Sequence, residues 1–362
     1  MRVFCAIEQE PFPGNRLWHN NIVDALRDLG HDVVLFNHPD LDAFYRHADT
    51  TRPANADWVN RRRPAFEQAL LDQVRAAHTQ QPLDLFLSYF YSAHARPETI
   101  AAIKALGIRT VNWYCNASYQ FHLVRAIAPA YDVSLVPEKD RLDDYRQAGA
   151  HPVYCQEAAN PRFYRDLQSP RDLDVVFIGQ RYATREDLCY AVHAAGARMD
   201  VWGAGWGGAS NEPAWKRLAR GAKRSLERWR GLPILPAERC HGFVTDKAMV
   251  EIYNRAKIAL GFGVVSAGDF RERPRYQIRL RDFEAPMCGT FYLMEHQEEI
   301  RDFFRIGEEI DTFRGAAELV DKVRFYLKND AARDRIRRAG HARAQRDHTW
   351  QKRLTDALTA PQ

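Results

Sequence analysis

Arg275, Arg279 and Arg281 stand at the opening of a short helical pattern, with Glu284 three residues beyond Arg281 and Gly289 closing the run. The first turn of a helix already carries partial positive charge from its free N–H groups, so cations are disfavoured there. Three arginines at that end make physical sense when an anion sits among them, and a helix N-terminus is itself a phosphate site. Glu284 shares a face with Arg281 at i, i+3. Gly289 ends the helix, and Thr290 to Met294 is a short apolar, aromatic-rich run that reads as a buried strand. Phosphate-binding cations, a carboxylate one turn away and a stop into a sheet suit a ribonucleoside diphosphate.

A second candidate phosphate contact is Gly179-Gln180-Arg181, directly after an apolar run. A glycine turn at a strand end lets backbone N–H groups approach phosphate, although a plain strand-to-helix turn has the same letters. Gly203-x-Gly205-x-x-Gly208 spells the dinucleotide fingerprint, but Asn211, Pro213 and a basic segment follow where a helix should open. It reads better as a glycine turn beneath a neighbouring ligand. Gly242-Phe243-Val244 could hold a nucleobase through backbone groups beside the aromatic ring. Asp40-Leu41-Asp42 and Asp172-Leu173-Asp174 have the letters of metal-binding pairs, which chance supplies often, so no metal is expected.

For proton transfer the candidates lie in the first half. His94 follows the aromatic run Tyr89-Phe90-Tyr91 in a loop after a strand, and His19 follows Pro13-Gly14-Asn15. Either could serve as a base at near-neutral pH. His94 could equally be a hydrogen-bonded loop histidine, and His19 could equally serve in acceptor binding. Glu8 and Glu10, in the loop after the first strand, could act as a carboxylate base. Asn116 could position a hydroxyl or cap a helix.

The elements that must position these groups alternate. Val3 to Ile7, Val33 to Phe36, Leu83 to Leu87, Thr110 to Trp113 and Val133 to Val136 read as strands. Leu17 to Leu29, Asp57 to Ala77, Pro97 to Leu106 and Lys139 to Gln147 read as the helices between them. The rhythm pauses at Ala158 to Tyr164. It restarts with strand Asp174 to Ile178, helix Arg185 to Ala195, strand Met199 to Trp202, helix Asp246 to Ala256 and strand Ile258 to Leu260. Helices Leu319 to Leu327 and Ala331 to Arg346 follow. This is an α/β chain with two doubly wound parallel-sheet domains. Residues 1–164 are expected to form the first, residues 165–345 the second, and residues 346–362 a tail returning to the first. At 362 residues, each half is long enough to bury its own core.

A net charge of +5 favours an anionic ligand without demanding nucleic acid. Six dispersed cysteines with no C-x-x-C pair read as reduced thiols. The N-terminus reaches Glu8 too soon for a signal peptide, and no apolar run is long enough to span a bilayer, so a cytoplasmic protein is expected. Residues 212–236 break the pattern. Lys216, Arg217, Arg220, Lys223, Arg224, Arg228 and Arg230 surround Trp215 and Trp229, opposed only by Glu212 and Glu227. This is a solvated helix, or a surface for an anionic acceptor, a membrane face or nucleic acid.

Four stretches together carry a resemblance. Val175-Val176-Phe177-Ile178-Gly179 with Arg185, Glu251 to Ile258, Arg279 to Ala285 with Cys288-Gly289, and Thr349 to Leu358 resemble the CgeB-like (spore maturation protein B-like) glycosyltransferases. These belong to the wider group of GT-B enzymes. The likeness spans roughly residues 165 to 358, with Asn160-Pro161-Arg162-Phe163 resembling the linker. It implies two Rossmann-like domains with parallel sheets facing a central cleft, donor in the second and acceptor in the first. It also implies a UDP-, GDP- or dTDP-linked sugar as co-substrate, no separate cofactor, and no metal. Glu284 would bind ribose and Arg279 or Arg281 the diphosphate, with Gly179, Arg181 and Val244 beside them. His94 falls where many such enzymes carry a substrate-contacting histidine. Retaining members often carry a Glu eight residues before the ribose carboxylate. Tyr276 stands there, and Asn116 replaces a usual acidic residue. The rival readings are a GT-B-fold sugar-nucleotide epimerase, a phosphorylase, or a protein binding anionic polymers through residues 212–236.

Overall fold

The computed structural model describes residues 1–10, 12–207, 214–265 and 275–359; Gly208, Asn211, Glu212 and Pro213 therefore lie outside the described residues. The chain divides into two compact units, Met1–Asn160 with Thr349–Gln362, and Pro161–His348.

In the first unit, β1 (Arg2–Ala6), β2 (Asp32–Leu35), β3 (Leu85–Ser88), β4 (Arg109–Trp113), β5 (Val133–Val136) and β6 (Pro152–Tyr154) form one sheet in the order β2-β1-β3-β4-β5-β6. Every pairing is parallel. Strands β1, β3 and β5 are buried throughout, as their near-continuous apolar sequences require of strands covered on both faces. The helix anticipated over Leu17 to Leu29 opens as a π turn, His19–Val23, before regular helix resumes at Asp24–Asp28. Asn21 sits in that turn. Its Nδ2 donates to Leu17 O at 3.1 Å and its Oδ1 accepts the Asn160 N–H at 3.1 Å. Such turns concentrate at functional positions.

The C-terminal helix Trp350–Thr359 belongs to this unit. Trp350 meets Trp113 edge-on at 5.2 Å and Trp18 at 6.3 Å, and Arg109 Nη1 donates to Leu358 O at 2.8 Å.

In the second unit, β7 (Leu173–Ile178), β8 (Met199–Trp202), β9 (Ala256–Gly261), β10 (Phe291–Glu295) and β11 (Asp311–Phe313) form a parallel sheet in the order β11-β10-β9-β7-β8. Its core joins Val175, Phe177, Val192, Val201, Leu260 and Phe291. The chain order reverses between β7 and β9, and ligands bind outside the carboxyl ends of strands at such a switch point. Strands β6 and β11 are short edge strands that periodicity did not reveal. Three residues give no repeat to read, and β6 opens on a proline, which an edge strand tolerates. Among the described residues no helix is long and apolar enough to cross a membrane.

Candidate active site

In the second unit the turns leaving β7 and β8 are stitched together by backbone. The Gly179 N–H donates to Trp202 O at 2.9 Å, the Arg181 N–H to Ala204 O at 2.9 Å, and the Gly203 N–H to Gly242 O at 3.0 Å. Trp206 Nε1 donates to Gly179 O at 2.8 Å. Gly203 has φ +130, and a Cβ there would fall within the van der Waals shell of Gly179 O. Gly205 has φ +85. These glycines are therefore required by the close passage of one strand exit over another, and the fingerprint spacing has its reason there. Val244 lies two residues past Gly242, half-buried, so the segment proposed for a nucleobase is tied to the same turn.

Gly203→Ala is expected to destabilise the protein by about 2–4 kcal/mol, because strain at positive φ adds to backbone overlap. Gly30→Ala, at φ +78 with open space around it, should cost only about 1 kcal/mol. Denaturant melts of both variants check this; equal losses would show that the overlap with Gly179 carries no cost.

The cations gather where β7 and β9 end. Arg185, first residue of the helix Arg185–Ala194, is buried. Its Nη1 donates to Gln180 O at 2.9 Å and its Nη2 to Phe262 O at 3.2 Å, while the guanidinium lies 3.8 Å from the Tyr182 ring centroid. Burial, with a further push from Arg279, pulls its pKa down to about 10, so it stays charged at neutral pH. Arg279 caps the helix Leu280–Met287. Its Nη2 donates to the Tyr182 hydroxyl at 3.2 Å and to Val264 O at 3.4 Å. Among the described residues, Arg185 Nε and Arg279 Nε are both buried without a hydrogen-bond partner. A buried N–H on a charged group is costly unless something accepts from it, so these two around Tyr182 are donors that an anion could satisfy.

The helix start is held from below. The Arg279 N–H donates to Asp282 Oδ2 at 2.8 Å, and the Tyr292 hydroxyl donates to Asp282 Oδ1 at 2.6 Å. Burial pushes the Asp282 carboxyl up to about 6. One turn on, Arg281 Nη1 is ion-paired with Glu284 Oε2; Glu284 is fully buried, whereas the Arg281 side chain is 31% exposed. Arg281 thus serves Glu284 first. Arg181 is likewise paired, with Glu186. Of the sequence-derived contacts, Gly179 lies at the linked strand exits, Val244 follows Gly242 by two residues, Arg279 meets Tyr182 and Val264, and Arg281 and Glu284 form a pair.

Arg185 and Tyr182 were missing from the sequence-derived site. Arg185 carries the same signal as Arg279 and Arg281, a cation at the start of a helix.

In the first unit the histidines are differently placed from what a base needs. His94 is fully buried, stacked on Phe90 at 4.8 Å and Tyr91 at 5.7 Å. Its Nδ1 accepts the Tyr91 N–H at 3.1 Å, which puts the neutral ring's proton on Nε2. Burial pulls its pKa down to about 3. In this geometry His94 is a neutral donor rather than a proton acceptor. His19 is buried in the π turn, its pKa lowered by burial and by Arg16, with Nδ1 3.7 Å from Asp24 Oδ1.

Glu8 differs. It follows β1, half-buried, in a loop whose next two N–H groups, of Gln9 and Glu10, donate to Asp42 at 2.9 Å and 3.1 Å. Burial and the Asp42 charge, only partly offset by Arg46, push its pKa up to about 7. Asn116 precedes a short helix and accepts from the Tyr119 hydroxyl at 2.9 Å.

The aspartate pairs have other partners: Asp40 takes Arg62 at 3.1 Å, Asp172 takes Arg255 at 2.6 Å, and Asp174 takes Lys257 at 2.6 Å. Among the described residues no three His, Cys, Asp or Glu side chains come together as a metal site.

Residues 183–359 match the family model described as "Glycosyl transferase-like". This protein is a glycosyltransferase. Solved structures agree on its fold. Sucrose-phosphate synthase from Thermosynechococcus elongatus aligns over 99% of this glycosyltransferase and 98% of its own chain, at 13% identity and a TM-score of 0.60. Anabaena HepE, solved with UDP and glucose, aligns over 99% of both chains at 11% identity and 0.61. A glycosyltransferase from Rickettsia africae covers 99% of this chain and 97% of its own at 8% and 0.58. The glycosyltransferase therefore has the GT-B fold of two Rossmann-like domains. No curated protein matches it in sequence.

Proposed function

We propose that the enzyme moves a sugar from a nucleoside diphosphate donor, held by the second unit, to an acceptor hydroxyl presented by the first. The observation that carries this reading is the pair of buried guanidinium Nε atoms of Arg185 and Arg279 at the switch point, without a partner among the described residues, with Glu284 one turn into the helix that Arg279 caps. The arginines would take the diphosphate, and Glu284 the ribose hydroxyls. Anabaena HepE, solved with UDP and with UDP-glucose, supports the same donor class for this chain. The motifs around Arg185, Glu251 and Glu284 support a place among the CgeB-like enzymes. Six free thiols, five of them buried, support a reducing, cytoplasmic setting.

In this proposal Glu8 takes the proton of the acceptor hydroxyl as its oxygen bonds to the anomeric carbon. The bond from that carbon to the diphosphate breaks, and the arginines stabilise the charge that leaves. The sugar inverts. No metal takes part, since the arginines supply the positive charge; turnover unchanged in EDTA supports this, and loss of turnover restored by a divalent cation overturns it.

A thermal-shift panel of UDP, GDP and dTDP, with and without sugars, tests the donor site. One of them should stabilise the protein by about 2.7 kcal/mol at a hundredfold excess over Kd, several degrees in Tm. Arg279→Ala should abolish that shift. No shift with any nucleotide would overturn the reading.

A further inference from the structure

Arg109 opens β4, and its side chain is only partly satisfied. Nη1 donates to Leu358 O at 2.8 Å, while Nε is buried without a hydrogen-bond partner among the described residues. An unsatisfied buried N–H on a charged group is unfavourable, and a bound anion would relieve it. Arg109 lines a cavity of about 650 Å³, together with Lys104, Asp132, Arg146 and His151. Small-molecule sites span roughly 300–1,000 Å³.

Two of these cations have local reasons to be there. Lys104 and Arg146 stand in the last turns of the helices Pro97–Lys104 and Leu142–Gln147, where the dipole favours positive charge. Arg109, in a strand, has no such reason. Lys104 is also neutralised, its Nζ lying 2.8 Å from Asp132 Oδ1. Arg146 pairs at 2.6 Å with Asp143, which is 81% exposed and outside the lining, so water screens that contact. The lining therefore keeps the charges of Arg109 and Arg146 in excess, with His151 beside them. Pro129, Pro152 and Val153 add apolar surface. Charge and apolar surface together suit a phosphate monoester, close to dianionic at neutral pH, on an apolar or ring-shaped body.

Arg109, Val133 and Pro152 are the first residues of β4, β5 and β6 and all line the cavity. The sheet is parallel, so the cavity lies at its amino edge, whereas Glu8 follows β1 at the carboxyl edge. The occupant is then not the acceptor whose proton Glu8 takes. We propose that this cavity binds a small organic phosphate, through residues that neither the donor nor the acceptor reading uses. The two readings can therefore fail separately.

The test is isothermal titration calorimetry of the full chain with phenyl phosphate, inorganic phosphate and phenol. Phenyl phosphate should bind with a Kd of about 1 mM or tighter, at least about tenfold tighter than the other two, because it alone offers both charge and ring. Arg146→Gln with His151→Gln should weaken it at least about tenfold. Both positions are exposed, so this variant should keep the wild-type Tm. Arg279→Ala, which disables the proposed diphosphate contact, should leave phenyl phosphate binding unchanged.

No binding of phenyl phosphate at about 10 mM would overturn the proposal, as would binding that survives the double variant. Binding lost in Arg279→Ala would assign the phosphate to the donor site and overturn it as well. Equal affinity for inorganic and phenyl phosphate would overturn the organic ligand and leave a simple anion contact.

Discussion

Glu284→Ala is expected to lose about 30- to 1,000-fold in affinity for the donor nucleotide, with turnover falling in parallel. A hydrogen bond from a ribose hydroxyl to a charged carboxylate contributes about 1.5–3 kcal/mol, and two hydroxyls can share this one. The same substitution also removes the partner of Arg281, whose guanidinium is then left against an apolar site. Breaking a largely buried pair costs about 3–5 kcal/mol where both ions are buried, and less here because Arg281 is partly open to solvent. Loss of affinity alone would therefore not distinguish ribose recognition from a damaged fold. Two further measurements do. The double variant Arg281→Met, Glu284→Leu removes both charges, so it should recover most of the lost stability and none of the affinity. In the wild type, a diphosphate lacking the ribose hydroxyls should bind much more weakly than its ribo form; in Glu284→Ala the two should bind alike. If the wild type fails to distinguish them, Glu284 has only a structural role.

Glu8→Gln is expected to lower kcat by about 100- to 10,000-fold, the usual contribution of a positioned base. The wild-type kcat/KM should fall about tenfold per pH unit below about pH 7, where burial and Asp42 place this carboxyl. The variant should lack that limb. Stability gives an independent check. The folded-state pKa is raised, so between the ordinary carboxylate range and about pH 7 the native state binds more protons than the unfolded one. The stability contributed by protonated Glu8 is present below that range and is lost as pH rises through 7. Glutamine resembles the neutral form, so the variant should be as stable as the wild type at low pH and more stable at pH 8. A residue that loses activity while gaining stability is held for chemistry. An unchanged acid limb in Glu8→Gln would move the base elsewhere. Retention of anomeric configuration would remove the need for one.

How much of the site was legible differs between the two units. On the donor side, misplaced charge was a sufficient signal. Cations on the first turn of a helix are unfavourable without an anion, and the spacing from Arg279 to Glu284 follows from helix geometry alone. The same rule, applied to Arg185, would have found it too. On the acceptor side the sequence offered two histidines and two glutamates in loops after strands, with no periodicity to rank them. What ranks them is surroundings. Five aromatic rings pack on His94 and a backbone N–H occupies its Nδ1, whereas Glu8 keeps partial exposure beside a second carboxylate. Those neighbours come from Phe44, Tyr45, Phe66 and Asp42, dozens of residues away in sequence from the groups they tune.

The strand–helix alternation, the parallel sheets and the charge pattern at Arg279 to Glu284 are written in local sequence, because each depends on spacings of two to four residues. Tertiary structure alone decided that Arg281 is committed to Glu284, that Gly203 serves a backbone crossing, and that His94 is neutral and enclosed. Each of those depends on burial and on partners brought from distant elements. Burial and partnering set the energy of a charge or a hydrogen bond, and no local spacing encodes them.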